Sequence, residues 1–372
     1  MTFPRTLSRK PPLPSALANE PRDHDLRPSR PTLEVRPAQP GDREAWNAFV
    51  LGHPDGTFFH LVEWRDVIRK ALRHATFYRV AVAHGEIRGV LPLARIRSRL
   101  FGDSLVSTPF CVYGGILAAD EDARAILTSD ACRLARDLGV DYLEMRNRQR
   151  SHPDWPCKDL YVTFRKNIEA DPEANLKAIP RKQRAMVRKG IGERLVSEID
   201  HDIDRFWKIY SESVRNLGTP VFPRRLFSEL RRQFGEQCEI LTVTHAGHAQ
   251  SSVLSFYFRD EVLPYYGGGT IAARRTAAND FMYWELMRRA GERGVRVFDY
   301  GRSKQQTGSF GFKKHWGFEP EPLFYEYYLV RAQKVPEINP LNPRYRLFID
   351  VWKRLPLWVS RRIGPLIARN LG

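Results

Sequence analysis

Three stretches of the chain combine residue types that could handle an anion or an acyl group. The first is Thr307-Gly-Ser-Phe-Gly-Phe-Lys-Lys-His-Trp-Gly-Phe318. Glycines 308, 311 and 317 would let backbone approach a ligand closely, and Lys313 and Lys314, set among aromatics, could hold an oxyanion or a phosphate. The same residues also suit a glycine-rich turn leading into a last amphipathic strand, with solvated lysines. The second stretch is Tyr265-Tyr266-Gly267-Gly268-Gly269, followed by a helix starting near Asn279. A strand that ends in glycines before a helix N-terminus presents free N–H groups to an anion, although a triple glycine serves equally as a bulge or turn. The third runs from Lys177 to Arg194 and carries seven cations against Glu193 alone. Arg181, Arg184 and Arg188 fall on one helical face, which suits either an anionic ligand or a solvated interdomain helix. Asp299-Tyr-Gly-Arg302 adds a carboxylate that could take a proton from an amine and a guanidinium for a carboxylate or phosphate, or else a structural ion pair. No Ser/His/Asp or HExxH arrangement occurs, and the four cysteines form no CxxC pair, so neither a hydrolytic triad nor a metal site is indicated.

The elements that must position these residues repeat. Residues 75–97 read as two alternating strands around His84-Gly85-Glu86, followed by a helix over DARAILTSDACRLARDLG and the strand GVDYLEMRNR, ending in Glu144-Met-Arg-Asn147. Residues 238–302 repeat the order: a hairpin around His245-Ala246-Gly247, the strand EVLPYYGGG, the helix NDFMYWELMRRAGERG and the strand GVRVFDYGRS. Helices precede the hairpin in both copies. An internal duplication of a mixed α/β (α+β) sheet flanked by helices follows. The segments are a disordered proline-rich tail over 1–31, a first domain over 32–165, a second over 166–335, and a basic segment over 336–372.

The chain has 372 residues, enough for two domains, and a net charge of +17, which calls for an anionic partner. With no apolar run long enough to span a bilayer and no signal-like N-terminus, it is expected in the cytoplasm, peripheral on the inner membrane face if its last segment binds there. That segment, 342–371, carries seven cations against Asp350 and places Leu347, Phe348, Val351, Trp352 and Leu355 at helical spacing. It suits the headgroup layer of an anionic membrane, or a terminal helix packed on the second domain.

The tandem repeat, IPRKQRAMVRKG, YYGGG, FDYGRS and above all GSFGFKKHWGF resemble FemAB-like proteins, particularly those associated with exosortase (PEP-CTERM) and exopolysaccharide systems. The resemblance implies tandem GNAT-like acyltransferase domains and transfer of an acyl or aminoacyl group to an amine of a cell-envelope or exopolysaccharide precursor. It gives Lys313, in the family's FK motif, the oxyanion role, with Lys314 beside it and Asp299 or a water as proton acceptor. Substrate or donor contacts are expected at Tyr265, Tyr266, Gly267, Gly268, Asn279, Arg302, Arg181, Arg184 and Arg188. The GNAT signature Q/RxxGxG/A is replaced by Arg-Arg-Thr-Ala-Ala-Asn-Asp, so acyl-CoA, an acyl carrier and aminoacyl-tRNA all stay open as donors, with no resident cofactor. The alternative is a non-catalytic polyanion-binding adaptor of polysaccharide or nucleic-acid assembly.

Overall fold

Two tight hairpins anchor the two halves of the computed structural model, which describes Met1 and residues 33–98, 102–335 and 343–371. The tail expected over 1–31 lies outside the described residues, apart from Met1. In the first half, β1 (Glu34–Pro37) and α1 (Arg43–Gly52) precede β2 (Arg79–Ala83) and β3 (Glu86–Leu91), joined through His84 (φ 52°) and Gly85 (φ 81°). Two successive left-handed residues give the turn whose twist matches that of paired strands. Pro92 ends β3, and β4 (Leu93–Ser98) continues into a second sheet with β5 (Gly102–Ser107). Next comes α2 (Glu121–Asp137), capped by the Asp120 carboxylate accepting from Ala123 N–H at 2.8 Å, with Ala123, Leu127, Ala131 and Leu134 on its buried side. It crosses over to β6 (Tyr142–Asn147), which lies parallel to β5, with Leu105 opposite Leu143.

After β7 (Tyr161–Asn167), the second half opens with α3 (Arg181–Gly192), β8 (Val196–Asp200), α4 (Asp204–Leu217) and α5 (Arg224–Phe234). The hairpin of β9 (Cys238–His245) and β10 (His248–Phe258) turns at Ala246 (φ 48°) and Gly247 (φ 79°). Its turn has the same left-handed pair as the first hairpin. Then β11 (Glu261–Gly269), α6 (Ala278–Glu292) and β12 (Val297–Asp299) form a crossover, with β12 parallel to β11. The first half is thus built on an antiparallel four-stranded sheet and a mixed one, the second on a single mixed sheet, with helices flanking them in a tandem GNAT-like arrangement.

The strands that finish the two halves are exchanged. β7 follows the first half's β6 in sequence but pairs antiparallel with β12 of the second, Arg165 opposite Asp299. β13 (Phe324–Leu329) follows β12 in sequence but pairs antiparallel with β6, Tyr327 opposite Glu144. A division at 165/166 therefore falls inside β7. Between the halves, an aromatic core forms around Phe58, whose ring stacks 4.4 Å from Phe256 and lies 4.5 Å from Phe234. Burying such rings stabilises each by several kcal/mol, on the order of 3 to 5 for truncation to alanine.

The glycine-rich stretch 308–318 differs from the turn-and-strand expectation. Thr307 caps α7 (Gly308–His315), its hydroxyl accepting from Phe310 N–H, so the first two glycines lie in a helix rather than a phosphate-cradling loop. An added Cβ at Gly308 or Gly311 would meet nothing within 4 Å, and of the three only Gly317, just past the helix, has positive φ (79°). The chain ends in α8 (Pro343–Arg354) and α9 (Leu357–Ala368), broken at Pro356.

Candidate functional site

The strand exchange brings residues of both halves onto one buried carboxylate. Asp299, at the end of β12, accepts from Tyr113 Oη (2.5 Å), Arg165 Nη1 (2.9 Å), Thr163 Oγ1 (3.3 Å) and the Gly301 N–H (2.7 Å). Arg165 also pairs with Glu261. Asp299 is 1% exposed. Asp299, the expected proton acceptor, is thus already engaged by four donors, one of them a guanidinium. It does not pair with Arg302: the guanidinium on Asp299 belongs to Arg165, a residue that no local pattern singles out. Arg302 instead stacks 4.6 Å over Tyr161 and donates to Tyr325 Oη at 2.9 Å.

Lys313 lies behind this cluster, 9% exposed, with Nζ donating to the carbonyls of Gly301 (2.8 Å) and Arg302 (3.0 Å). Its ammonium also lies within 6 Å of the Phe164 and Tyr300 rings. Burial pulls its pKa down to about 7; Asp299 works against this and Arg302 with it. Nearby Lys304 is drawn down to about 8, by burial first and then by Arg302 and Lys158. Lys314, one residue on, is exposed and points over Phe310, outside the cluster.

Two cavities flank these residues. The smaller, about 230 Å3, lies at the end of β11 and is lined by Gly267, Gly268, Asn279, Ser213, Tyr283 and Phe312, among others. It exists because β11 pairs with β12 only at Glu261 and Val262 and then runs on as far as Gly269. Ala277, at φ 57°, redirects the chain so that α6 begins at the cavity, with Asn279 in its first turn. The glycines are sterically required here. A Cβ at Gly268 would lie 2.3 Å from Ser213 Oγ, and one at Gly269 would lie 2.4 Å from Asn279 Oδ1. Asn279 Oδ1 is itself buried with no hydrogen-bond partner, an acceptor left open for an N–H from a ligand.

The larger cavity, about 410 Å3, is lined by Tyr113, Thr163, Arg146, Arg148, Arg124 and His60, among others. Arg146 is buried, paired with Glu144 at 2.7 Å and donating to Cys111 O. Arg148 stacks 5.4 Å over Tyr113 and lies 4.0 Å from Glu321. His60, fully enclosed, has its pKa lowered by burial to about 4 and is neutral at physiological pH. Through Tyr113 and Thr163 the larger cavity reaches Asp299, and Phe312, next to Lys313, lines the smaller one.

Of the expected substrate or donor contacts, then, the structure brings Gly267, Gly268 and Asn279 together at one cavity. Tyr265 and Tyr266 do not join them. The Tyr265 hydroxyl donates to Phe110 O at 2.8 Å, and Tyr266 is packed among Tyr210, Phe222 and Phe227, so both serve the core. Arg181 and Arg188 are exposed on α3, and Arg184 donates to Lys177 O; none of the three lines either cavity. α3 nevertheless abuts the site's helix, since Gln183 donates to Asp280 in the first turn of α6. Ser213 and Tyr283 were not singled out by the sequence. Tyr283 lies four residues after Asn279, on the same helical face, a spacing that could have found it. Among the described residues no cluster of His, Cys, Asp or Glu could hold a metal.

Residues 174–314 match the family described as acetyltransferase (GNAT) domain. No curated protein matches significantly in sequence. Among solved structures, FemX superposes with a TM-score of 0.62 at 14% identity, covering 85% of this chain and 100% of that one. The C-terminal domain (DUF2156) of a putative lysylphosphatidylglycerol synthetase from Agrobacterium fabrum gives 0.52 at 12% identity, over 77% of this chain and 91% of that one. A tandem GNAT protein from the clavulanic acid biosynthesis pathway gives 0.50 at 14% identity, over 79% and 97%. The chain thus has a tandem GNAT-like fold, and its second half carries the acetyltransferase (GNAT) domain match.

Proposed function

We propose that the protein is an N-acyltransferase in which the smaller cavity holds the acyl or aminoacyl donor and the larger one the amine acceptor. The observation that carries the reading is the opening of β11 away from β12 onto the N-terminus of α6. It offers a glycine-edged slot for an extended donor and an unpaired acceptor, Asn279 Oδ1, for a donor N–H. The arginines of the larger cavity suit an acceptor bearing carboxylate or phosphate groups, as cell-envelope and exopolysaccharide precursors do.

In the transfer, the acceptor nitrogen attacks the donor's ester or thioester carbonyl, the carbonyl oxygen gains negative charge, and the leaving oxygen or sulfur departs as the new amide forms. Two of the three Lys313 N–H groups are fixed by Gly301 O and Arg302 O, and the third is assigned to the developing oxyanion. With Asp299 occupied, a water takes the amine proton. Incubation of the protein with acyl-CoA or aminoacyl-tRNA and amine-bearing envelope precursors, read by mass spectrometry, tests the reading. An acylated product supports it. Absence of transfer from every donor class, with polyanion binding retained, would replace it with the adaptor function.

A further inference from the structure

The two C-terminal helices are built inside out for a segment that only packs on its own domain. α9 turns its smallest residues inward: Ser360, Gly364 and Ala368, at i, i+4 and i+8, are its buried positions. A Cβ on Gly364 would lie 2.9 Å from Val221 N, so the helix sits directly on backbone. It is held there by polar and stacking contacts. Arg361 Nε donates to Ser211 Oγ at 2.9 Å with its guanidinium 5.0 Å over Trp207, and the Arg369 carbonyl lies 2.6 Å from His74 Nε2. α8 is pinned by Trp352, 2% exposed, and by Ile349 against Gly218.

The large apolar residues face outward. Trp358 is 71% exposed, Leu347 70% and Leu366 64%, with Val351 and Ile363 also on the surface. On α9, Trp358, Arg362 and Leu366 recur at intervals of four and form one outward stripe opposite the small-residue face. Lys353, Arg354 and Arg362 are exposed beside these residues, and Asp350 is the one acid between 343 and 371. Tryptophan and aliphatic side chains interleaved with arginines match the boundary between acyl chains and anionic headgroups.

We infer that the outward face of α8 and α9 docks on an anionic lipid bilayer. Charge complementarity selects this occupant. A second copy of the same face would set cations against cations, whereas phosphatidylglycerol-type headgroups neutralise them while the stripe enters the interface. The attachment is peripheral, since among the described residues no helix is long and apolar enough to cross a membrane.

The test is cosedimentation of the full chain with phosphatidylcholine vesicles containing phosphatidylglycerol, against pure phosphatidylcholine vesicles. The native protein is expected on the anionic vesicles alone. A Trp358→Ser/Leu366→Ser variant and a Lys353→Glu/Arg362→Glu variant should each lose roughly tenfold or more in partitioning. Because these side chains point outward, their thermal unfolding midpoints should match that of the native chain. Equal binding to both vesicle types, undiminished binding of either variant, or absence of binding by the native chain would overturn the inference. So would a halving of the native molecular mass in the serine variant, which would mark the face as a contact between copies.

Discussion

Replacing Lys313 with methionine separates its electrostatic cost from its chemistry. The ammonium is buried against Phe164, Tyr300 and two carbonyls, with a pKa drawn from 10.5 to about 7. The folded-state value lies below the unfolded one, so between pH 7 and 10.5 the unfolded chain binds more protons and the native chain gains stability as pH rises. Each pH unit in that window is worth about 1.4 kcal/mol, less near its ends, and the rise between pH 7 and 9 comes to about 2 kcal/mol. Lys313→Met carries no such dependence. The stability of the native chain minus that of the variant, from urea unfolding, should therefore climb by about 2 kcal/mol over this interval, while Lys304 and every other titrating group cancels in the difference. A flat difference would refute the buried-cation account. Turnover supplies the second reading. If the charged form holds the oxyanion, kcat/KM in the native enzyme should decline above pH 7, and the methionine variant should be about 100-fold slower or worse. A native rate that rises with pH through 7, with that rise lost in the variant, would make Lys313 a proton acceptor and refute the oxyanion role.

Other perturbations follow from the same geometry. Gly268→Ala sets a Cβ 2.3 Å from Ser213 Oγ and should raise the donor KM roughly tenfold or more, with recovery in Gly268→Ala/Ser213→Gly; steady-state kinetics of the pair checks it. Asp299→Asn leaves Arg165 with Glu261 as its one charged partner and should cost about 3 kcal/mol in urea unfolding, a loss that an unshifted midpoint would exclude. Glu326, fully buried on the exchanged strand β13, accepts from Asn147, from the backbone N–H of Ser151 and of His152, and meets the His152 ring at 3.1 Å. Burial opposes its charge, but those donors hold its carboxyl below the usual range, so folded Glu326 is depressed and its stabilising share is lost as pH falls through the acid range. Glu326→Gln should flatten that loss, measured as the acid unfolding midpoint.

The repeat was legible because hairpin turns and crossover helices are local. His84-Gly85 and Ala246-Gly247 adopt the same pair of left-handed conformations, and the helices over 121–137 and 278–292 follow apolar periodicity. The exchange of β7 and β13 was not legible, since either strand could have paired with its own half; register with β12 or β6 depends on tertiary packing that no window of sequence contains. The same limit governs the site. Gly267, Gly268 and Asn279 announced a strand-to-helix junction, which is a local feature. Tyr265 and Tyr266 share that stretch, yet a register shift that leaves Tyr265 unpaired between Pro264 and Tyr266 lets both rings join the aromatic core. Arg165 and Tyr113 reach Asp299 only through contacts 134 and 186 residues apart in sequence.

Those long-range contacts give the duplication its mechanical meaning. Arg165 rides on β7, contributed by the segment that leaves the first half, and clamps Asp299 and Glu261 of the second. In return β13 brings Tyr325, whose hydroxyl donates to Val112 O and accepts from Arg302, and Glu326, which fastens the loop at Ser151 beside the larger cavity. The larger cavity is therefore finished by residues of both halves, Thr163 of β7 among them, whereas the smaller one is lined by second-half residues alone. Separating the halves would strip Asp299 of Arg165, Thr163 and Tyr113 together and expose the rings around Phe58. A buried carboxylate without its guanidinium is costly enough that neither half would keep the site's geometry alone. The two expected domains act as one unit because the groups that fix Asp299, and through Gly301 and Arg302 the ammonium of Lys313, come from both.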